Sequence, residues 1–348
     1  MTIKLGIMLG YSGKQISLPM DLIKQAESLG YDSVWTAEAY GSDAISPAAW
    51  ILAQTETIKV GTCIMQMVGR TPATCAMTAM TMSQLSGGRF LCGLGASGPQ
   101  VVEGWHGVPY GKPITRTKEY IRIMKEIMRR EGPVEFDGEM YTLPNMGAGT
   151  TGLGKPLKSI LAATDDIPIY TASITPAGLR CAGEVADGVF PLFMSPDTFS
   201  VIGDDLQKGF DAAGNGKSLE TFDVAPTLQV MLHDDLDECR NLARPFLALY
   251  IGGMGAKGKN FYNSYVTRMG YGDAAEQVQD LYLSGEKQKA EAAIPDALID
   301  EVMLFGPEAR IRERAQDWIA AGKRNEVTTL MASVNDPKVV ELLADIFL

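Results

Sequence analysis

The sequence predicts an α/β protein, a (β/α)8 TIM barrel with insertions. Three observations carry that expectation. Strand-like and helix-like runs alternate along most of the chain, they make eight units, and the connections between them are short. The chain has 348 residues, against about 250 for a typical barrel, which leaves room for insertions at about 132–166 and 254–301 within one domain over 1–348. An open doubly wound sheet is the alternative arrangement.

The first unit is a strand over Ile3–Leu9 and a helix whose apolar residues Leu22, Ile23, Ala26 and Leu29 recur at helical spacing and stop at Gly30. Ser33–Glu38 reads as a strand, Pro47–Gln54 as a helix and Ile58–Met65 as a strand. Pro72–Leu85 is a helix closed by Ser86, Gly87 and Gly88, and Arg89–Gly95 is a strand. Thr115–Arg130 carries one apolar helical stripe of Tyr120, Ile123, Met124, Ile127 and Met128. The texture then changes: Val134–Tyr141 reads as a hairpin turned at Asp137 and Gly138, and Asn145–Lys158 as a Gly-rich excursion without periodicity.

Alternation resumes with a strand at Ile167–Thr171, a helix at Pro176–Glu184, a strand at Gly188–Leu192 and a helix at Pro196–Ala213. A long strand over Phe222–Leu232 and a helix over Leu236–Tyr250 follow. Met254–Glu301 is irregular helical material. Pro307–Ala321 is a clear helix, Val327–Ser333 the last strand and Pro337–Phe347 the last helix.

Composition narrows the function classes. Asp and Glu number 42 against 31 Lys and Arg, and the net charge of -11 disfavours duplex nucleic acid or an anionic membrane as partner. No run approaches the roughly 18 apolar residues of a membrane span, and the N-terminus enters a strand without a basic flank, so a cytoplasmic protein is expected. Cys63, Cys75, Cys92, Cys181 and Cys239 are scattered and form no CxxC pair, which reads as reduced thiols. His106 and His233 are the only histidines, so no histidine-built metal site is expected. Chemistry on a small-molecule substrate would then belong to a borrowed cofactor.

In a barrel the loops after the strands share one rim, here Gly10–Ser17, Glu38–Asp43, Gln66–Thr71, Ala96–Pro113, Ala172–Thr175 and Phe193–Ser195. Gly93–Gly98 spells GxGxxG after a strand, but Pro99 and Gln100 follow where a dinucleotide fold starts its helix. The acidic residue at the right spacing, Glu119, lies inside a helical stripe. The glycines are read instead as letting backbone approach a phosphate or ring. Gly149, Gly154 and Lys155 approximate a P-loop, but Pro156 stands where the Mg-binding hydroxyl is needed, so a flexible loop is expected. Its Lys155 and Lys158 are candidates to fold over an anionic ligand. In the fourth rim loop, Glu103 and His106 are candidate proton carriers beside Trp105, His106 having the intrinsic pKa suited to that task. Tyr11, Trp35 and Tyr40 are candidate substrate contacts, and Met65 and Met67 suggest an adaptable apolar pocket.

Four stretches carry a resemblance to a known family: Gly30–Trp50 (GYDSVWTAEAYGSDAISPAAW), Ile58–Gly98, Arg130–Pro144 (REGPVEFDGEMYTLP) and Asp166–Pro191 (DIPIYTASITPAGLRCAGEVADGVFP). In these residues the chain resembles the luciferase-like oxidoreductase superfamily, especially the branch that uses the deazaflavin coenzyme F420, over nearly its whole length. The resemblance implies a bacterial luciferase-like TIM barrel that holds the ring at the carboxyl ends of the strands. It implies a bulge in the third strand with a non-prolyl cis peptide, by position Cys63–Ile64, backing the ring, and a polar cofactor contact at Gln66. Gly95, Ala96, Ser97 and Gly98 then offer small residues beside the ring. Ser173, Ile174 and Thr175, with Ala177 and Gly178 in the first turn of the next helix, offer free N–H groups to an anion.

Glu38 matches the acidic position that the family sets against the ring. Ala39 stands where sugar-phosphate and alcohol-oxidising relatives carry a histidine, and the acid those sugar-phosphate relatives carry near Gly98 or Pro99 is missing, so glucose 6-phosphate oxidation is not expected. The implied function is an F420-dependent oxidoreductase passing hydride between deazaflavin C5 and an organic substrate, working as a reductase, with Glu38 and His106 as the catalytic candidates. An FMN-dependent monooxygenase, a non-catalytic deazaflavin-binding protein and a cofactor-free partner-binding barrel are the alternatives. A homodimer through outer helices near the early strands is also implied.

Overall fold

The computed structural model describes residues 3–10, 12, 14–164 and 167–348. In chain order the strands are β1 (Lys4–Gly10), β2 (Ser33–Thr36), β3 (Lys59–Thr62), β4 (Met65–Gln66), β5 (Phe90–Gly95), β6 (Phe136–Asp137), β7 (Thr142–Leu143), β8 (Ile169–Ala172), β9 (Gly188–Phe190), β10 (Asp223–Val224), β11 (Thr227–Leu232), β12 (Met303–Gly306) and β13 (Thr329–Ser333). Apart from the β6–β7 hairpin they form one sheet of parallel neighbours in the order β10-β9-β8-β5-β3-β2-β1-β13-β11-β12, with β4 beside β5.

The sheet curls into a barrel because one run of chain belongs to both of its sides. β10 pairs with β9, and two residues later β11 pairs with β13, which lies against β1. Two further bonds seal that seam: Val224 N donates to Thr328 Oγ1 at 2.9 Å and Met331 N to Pro226 O at 3.0 Å. Asp223 holds the same place, accepting from Tyr170 Oη and Thr329 Oγ1, each at 2.9 Å. The open doubly wound alternative is set aside.

Inside the barrel Trp35 is fully buried, with Tyr170 and Phe190 edge-on to it at 5.3 and 5.0 Å and stacked on each other at 5.0 Å. Such rings fit only where neighbouring strands carry no side chain. A Cβ on Gly61 would lie 2.3 Å from Trp35, and one on Gly188 2.3 Å from Tyr170. Trp35 is thus interior packing and no substrate contact. Met65, in β4, and Met67, in the turn just after it, are likewise buried in the layer between sheet and helices rather than lining a rim pocket.

Several boundaries differ from the sequence expectation. The run over 58–65 is broken after Thr62, and the hairpin turns over 138–141, where Gly138 N bonds Tyr141 O at 2.9 Å. Glu119 explains the turn: its buried carboxylate accepts from Glu139, Met140 and Tyr141 N at 2.8, 2.9 and 3.0 Å. Helix Ser200–Ala213 starts later than read, and Leu236–Ala248 passes into a wider turn at Leu249–Gly253. The 254–301 segment forms helices Phe261–Val266, Gly272–Leu283, Lys287–Ala292 and Asp296–Val302, and leads into β12, which pairs with the outer part of β11. No helix among the described residues is long and apolar enough to cross a membrane.

Candidate functional site

The site grows from the interruption between β3 and β4. Gly61 faces Leu91, and pairing resumes at Met65 opposite Leu94, so three residues, Thr62 to Ile64, span what two span on β5. The Cys63–Ile64 peptide within this bulge is cis. Thr62 supplies the missing ladder bonds through its side chain: Oγ1 donates to Gly93 O at 2.7 Å and accepts from Gly93 N at 3.0 Å. Only glycine fits opposite, because a Cβ at 93 would lie 1.8 Å from Thr62 O. Ile64 packs against Gly95 in the same way, leaving 2.6 Å for a Cβ there. Burial pushes the Cys63 thiol up to about 12, so it stays protonated.

Glu38, in the loop after β2, is drawn to this bulge. Its Oε1 accepts from Gln66 N at 3.1 Å and its Oε2 from Ala44 N at 3.0 Å, at the N-terminus of helix Ile45–Leu52, where the dipole favours an anion. Arg70 Nη1 lies 2.9 and 3.1 Å from the two oxygens. Burial works against the Arg70 charge, but the Glu38 carboxylate outweighs it and holds the guanidinium above its ordinary range. Arg70 is placed by Tyr120 Oη, which donates to its carbonyl at 3.1 Å, and by Thr71, whose hydroxyl caps helix Pro72–Ser86.

Gln66, 1 % exposed, bonds the Ala39 carbonyl through Nε2, and its Oε1 lies 3.1 Å from His106 Nε2. A cleft of about 310 Å³ opens over these residues, lined by Glu38, Tyr40, Asp43, Arg70, Trp105 and His106. Tyr40 and Trp105 are its exposed aromatics, at 63 % and 67 %. A Cβ on Gly69 would reach to 3.5 Å from the His106 ring and 3.9 Å from Glu38. Glu103 points elsewhere, accepting from Tyr110 N at 3.2 Å.

The strands bring the second cluster alongside. Gln66 faces Gly95 and Leu94 faces Thr171, so the loops over 96–98 and 173–178 leave neighbouring strands. Ala96, Ser97 and Gly98 are partly exposed, with Ser97 at φ 61°. A helix does begin at once, Pro99–Gly104, with Gly98 as its cap: proline suits a first helical turn, so Pro99 was no argument against one. Across the groove Thr175 caps helix Pro176–Val185, accepting from Gly178 N at 3.2 Å, and a Cβ on Gly178 would lie 2.8 Å from Ser173 Oγ. Ala177 is exposed and Ile174 buried.

Sequence reasoning missed two arginines. Arg70 stood in plain view in the run before a helix, but its pairing depends on the approach of two loops. Arg268, from the 254–301 segment, donates to Ile174 O and, at 3.0 Å, to Val201 O, carrying a positive charge to the 173–178 loop. Tyr262 of that segment packs on Phe193 at 6.1 Å, and Phe246 and Tyr250 of the preceding helix and turn pack on the same ring at 5.8 and 5.7 Å. Lys155 and Lys158 are not brought to the rim. They flank Leu157, whose backbone pairs with Val134 just past the C-terminus of helix Pro113–Arg129, toward the end where strands begin. Tyr11 lies outside the described residues.

The arrangement fits a flat heterocycle with an anionic tail. Side chains are small at 95–98, the bulge presents backbone at its floor, and a helix N-terminus with Arg268 beside it faces the neighbouring loop.

Comparison with known proteins bears on the family and the fold. Residues 2–325 match the family model of the luciferase-like monooxygenases. The chain is 43 % identical over 343 residues, 98 % of each chain, to a protein of Mycobacterium tuberculosis named as a coenzyme F420-dependent oxidoreductase. It is 26 % identical over 92 % of each chain to the 5,10-methylenetetrahydromethanopterin reductase of Archaeoglobus fulgidus. Among solved structures, the coenzyme F420-dependent tetrahydromethanopterin reductase of Methanopyrus kandleri superposes with a TM-score of 0.75 at 23 % identity, over 99 % of this chain and 98 % of that one. The fold and these relatives define a barrel oxidoreductase of the F420-dependent type. The chain belongs to the luciferase-like monooxygenase family.

Proposed function

We propose that this protein is a coenzyme F420-dependent oxidoreductase that reduces a polarised double bond of a small organic substrate. The observation that carries the reading is the cleft beside the Cys63–Ile64 bulge, where Glu38, Gln66, Arg70 and His106 are joined in one hydrogen-bonded group. The name of the 43 % identical relative supports the choice of F420 over FMN.

Cys63, Ile64 and Gln66 would back the ring, Gly95 to Gly98 would flank it, and Ser173, Ile174, Thr175, Ala177 and Gly178 would receive the anionic tail with Arg268 nearby. The reduced deazaflavin supplies a hydride from C5. Glu38 accepts from Ala44 N, Gln66 N and, through both oxygens, Arg70 Nη1, and so sets Arg70 and Gln66 in place beside the ring. His106 is the proton donor, and Tyr40 and Trp105 at the mouth exclude water and contact the substrate. The same reading places the enzyme in the cytoplasm, where five scattered cysteines without a CxxC pair would stay reduced. It also makes it a homodimer through outer helices, where Trp50 and Leu85 stand 60 % and 83 % exposed.

Anaerobic incubation with F420 reduced with deuterium at C5, against a panel of activated alkenes and carbonyls, tests this reading. Deuterium in a product carbon supports it. Tight cofactor binding without label transfer to any substrate favours a deazaflavin carrier, and oxygen uptake with reduced FMN favours a monooxygenase.

A further inference from the structure

The bonds around Gln66 decide which nitrogen of His106 is basic. The Ala39 carbonyl can only accept, so the Gln66 amide must turn its NH2 toward Ala39. That leaves Oε1, which also only accepts, facing His106 Nε2 at 3.1 Å. A neutral imidazole has one donor nitrogen, and here it must be Nε2. Gln66 cannot turn away, because it is 1 % exposed and its backbone N–H is bound to Glu38.

We propose that Gln66 holds His106 in the Nε2–H tautomer and thereby makes Nδ1 the atom that exchanges a proton with the substrate. Gln66 is a positioning residue. The step rests on the reductase reading above. The substrate gains a hydride, with its electron pair, from C5 of the reduced deazaflavin at one end of its double bond. The electron pair of the broken π bond takes a proton from Nδ1 of the doubly protonated ring at the other end. His106 is left neutral with its proton on Nε2, and solvent returns a proton to Nδ1, matching the one released to solvent as the cofactor becomes oxidised. The other ionisable groups around the ring are Glu38 and Arg70, which neutralise each other, Tyr40 and Asp43 in the cleft lining, and Glu103 in the last turn of helix Pro99–Gly104.

The test is long-range 1H–15N spectroscopy of the histidine rings in the cofactor-free protein at a pH above their titration. Two histidines make the spectrum assignable, with His106→Asn removing one set. The expected result is a His106 ring with the proton on Nε2, slow to exchange with water, and a bare Nδ1. In Gln66→Leu that slow exchange is lost. A proton on Nδ1 in the native protein, or unchanged protection in Gln66→Leu, overturns the proposal. A turnover arm uses Gln66→Glu, whose carboxylate favours the charged ring, so the alkaline fall in reduction moves up by about one pH unit or more; an unmoved profile counts against it. The spectra need no substrate, so failure of the tautomer assignment and failure of the reductase reading show separately.

Discussion

The Glu38 carboxylate and the Arg70 guanidinium form a two-oxygen contact at 2.9 and 3.1 Å, with side chains only 10 % and 19 % exposed. Such a pair matters most through what its loss leaves behind. Removing one partner strands a charge in a poorly hydrated place. Arg70→Ala is expected to cost about 3 kcal/mol of stability, measurable by urea unfolding, and to loosen Gln66. Arg70→Lys is expected to recover only part, because an ammonium cannot span both oxygens.

Glu38→Gln keeps the shape and removes the charge. F420 affinity or turnover is expected to fall about tenfold or more while circular dichroism stays native. Unchanged affinity and rate would remove Glu38 from the site.

Gly93→Ala tests the bulge itself. A methyl placed 1.8 Å from Thr62 O cannot be absorbed by a rotamer change, since both atoms belong to backbone-bound groups. The expected outcome is a loss of about 1–3 kcal/mol or more with cofactor binding reduced. Thr62→Val should act in the same direction by leaving Gly93 N without its partner.

Lys217 supplies a pH signature far from the chemistry. Burial pulls its ammonium down to about 8, against the 10.5 of a free lysine. The folded chain thus binds the proton less well than the unfolded one, and the penalty is fully present below about pH 8 and fades as pH rises to 10.5. Lys217→Met is expected to melt higher than the native protein at pH 7, the gap closing between those two values. A gap independent of pH would contradict this.

Much of the barrel was legible from apolar spacing and from Gly and Pro punctuation, because each helix must bury one stripe against the sheet. The element after Asp296–Val302 was not: Met303–Gly306 abuts that helix without a break, and its pairing with β11 is a long-range event. Residue patterns alone also left Cys63 and Ile64 as ordinary strand, and the bulge was expected only through family resemblance. Met65 and Met67 were misplaced because that bulge shifts the face each residue presents. Glu38, Gln66 and His106 could be named as candidates, yet the bonds joining them cross 28 to 40 residues of sequence. Arg70 and Arg268 show the same limit, since an ion pair or a carbonyl clamp has no spacing of its own.

On this reading F420 binds at the rim beside Glu38 and the Cys63–Ile64 bulge. Anaerobic titration of the cofactor-free protein with F420 and, separately, FMN, followed by cofactor fluorescence with stoichiometry from equilibrium dialysis, tests it most directly. The expected result is saturable binding of one F420 per subunit, much weaker FMN binding, and loss of the F420 signal in Glu38→Gln. Preference for FMN, or F420 binding indifferent to Glu38, would contradict it.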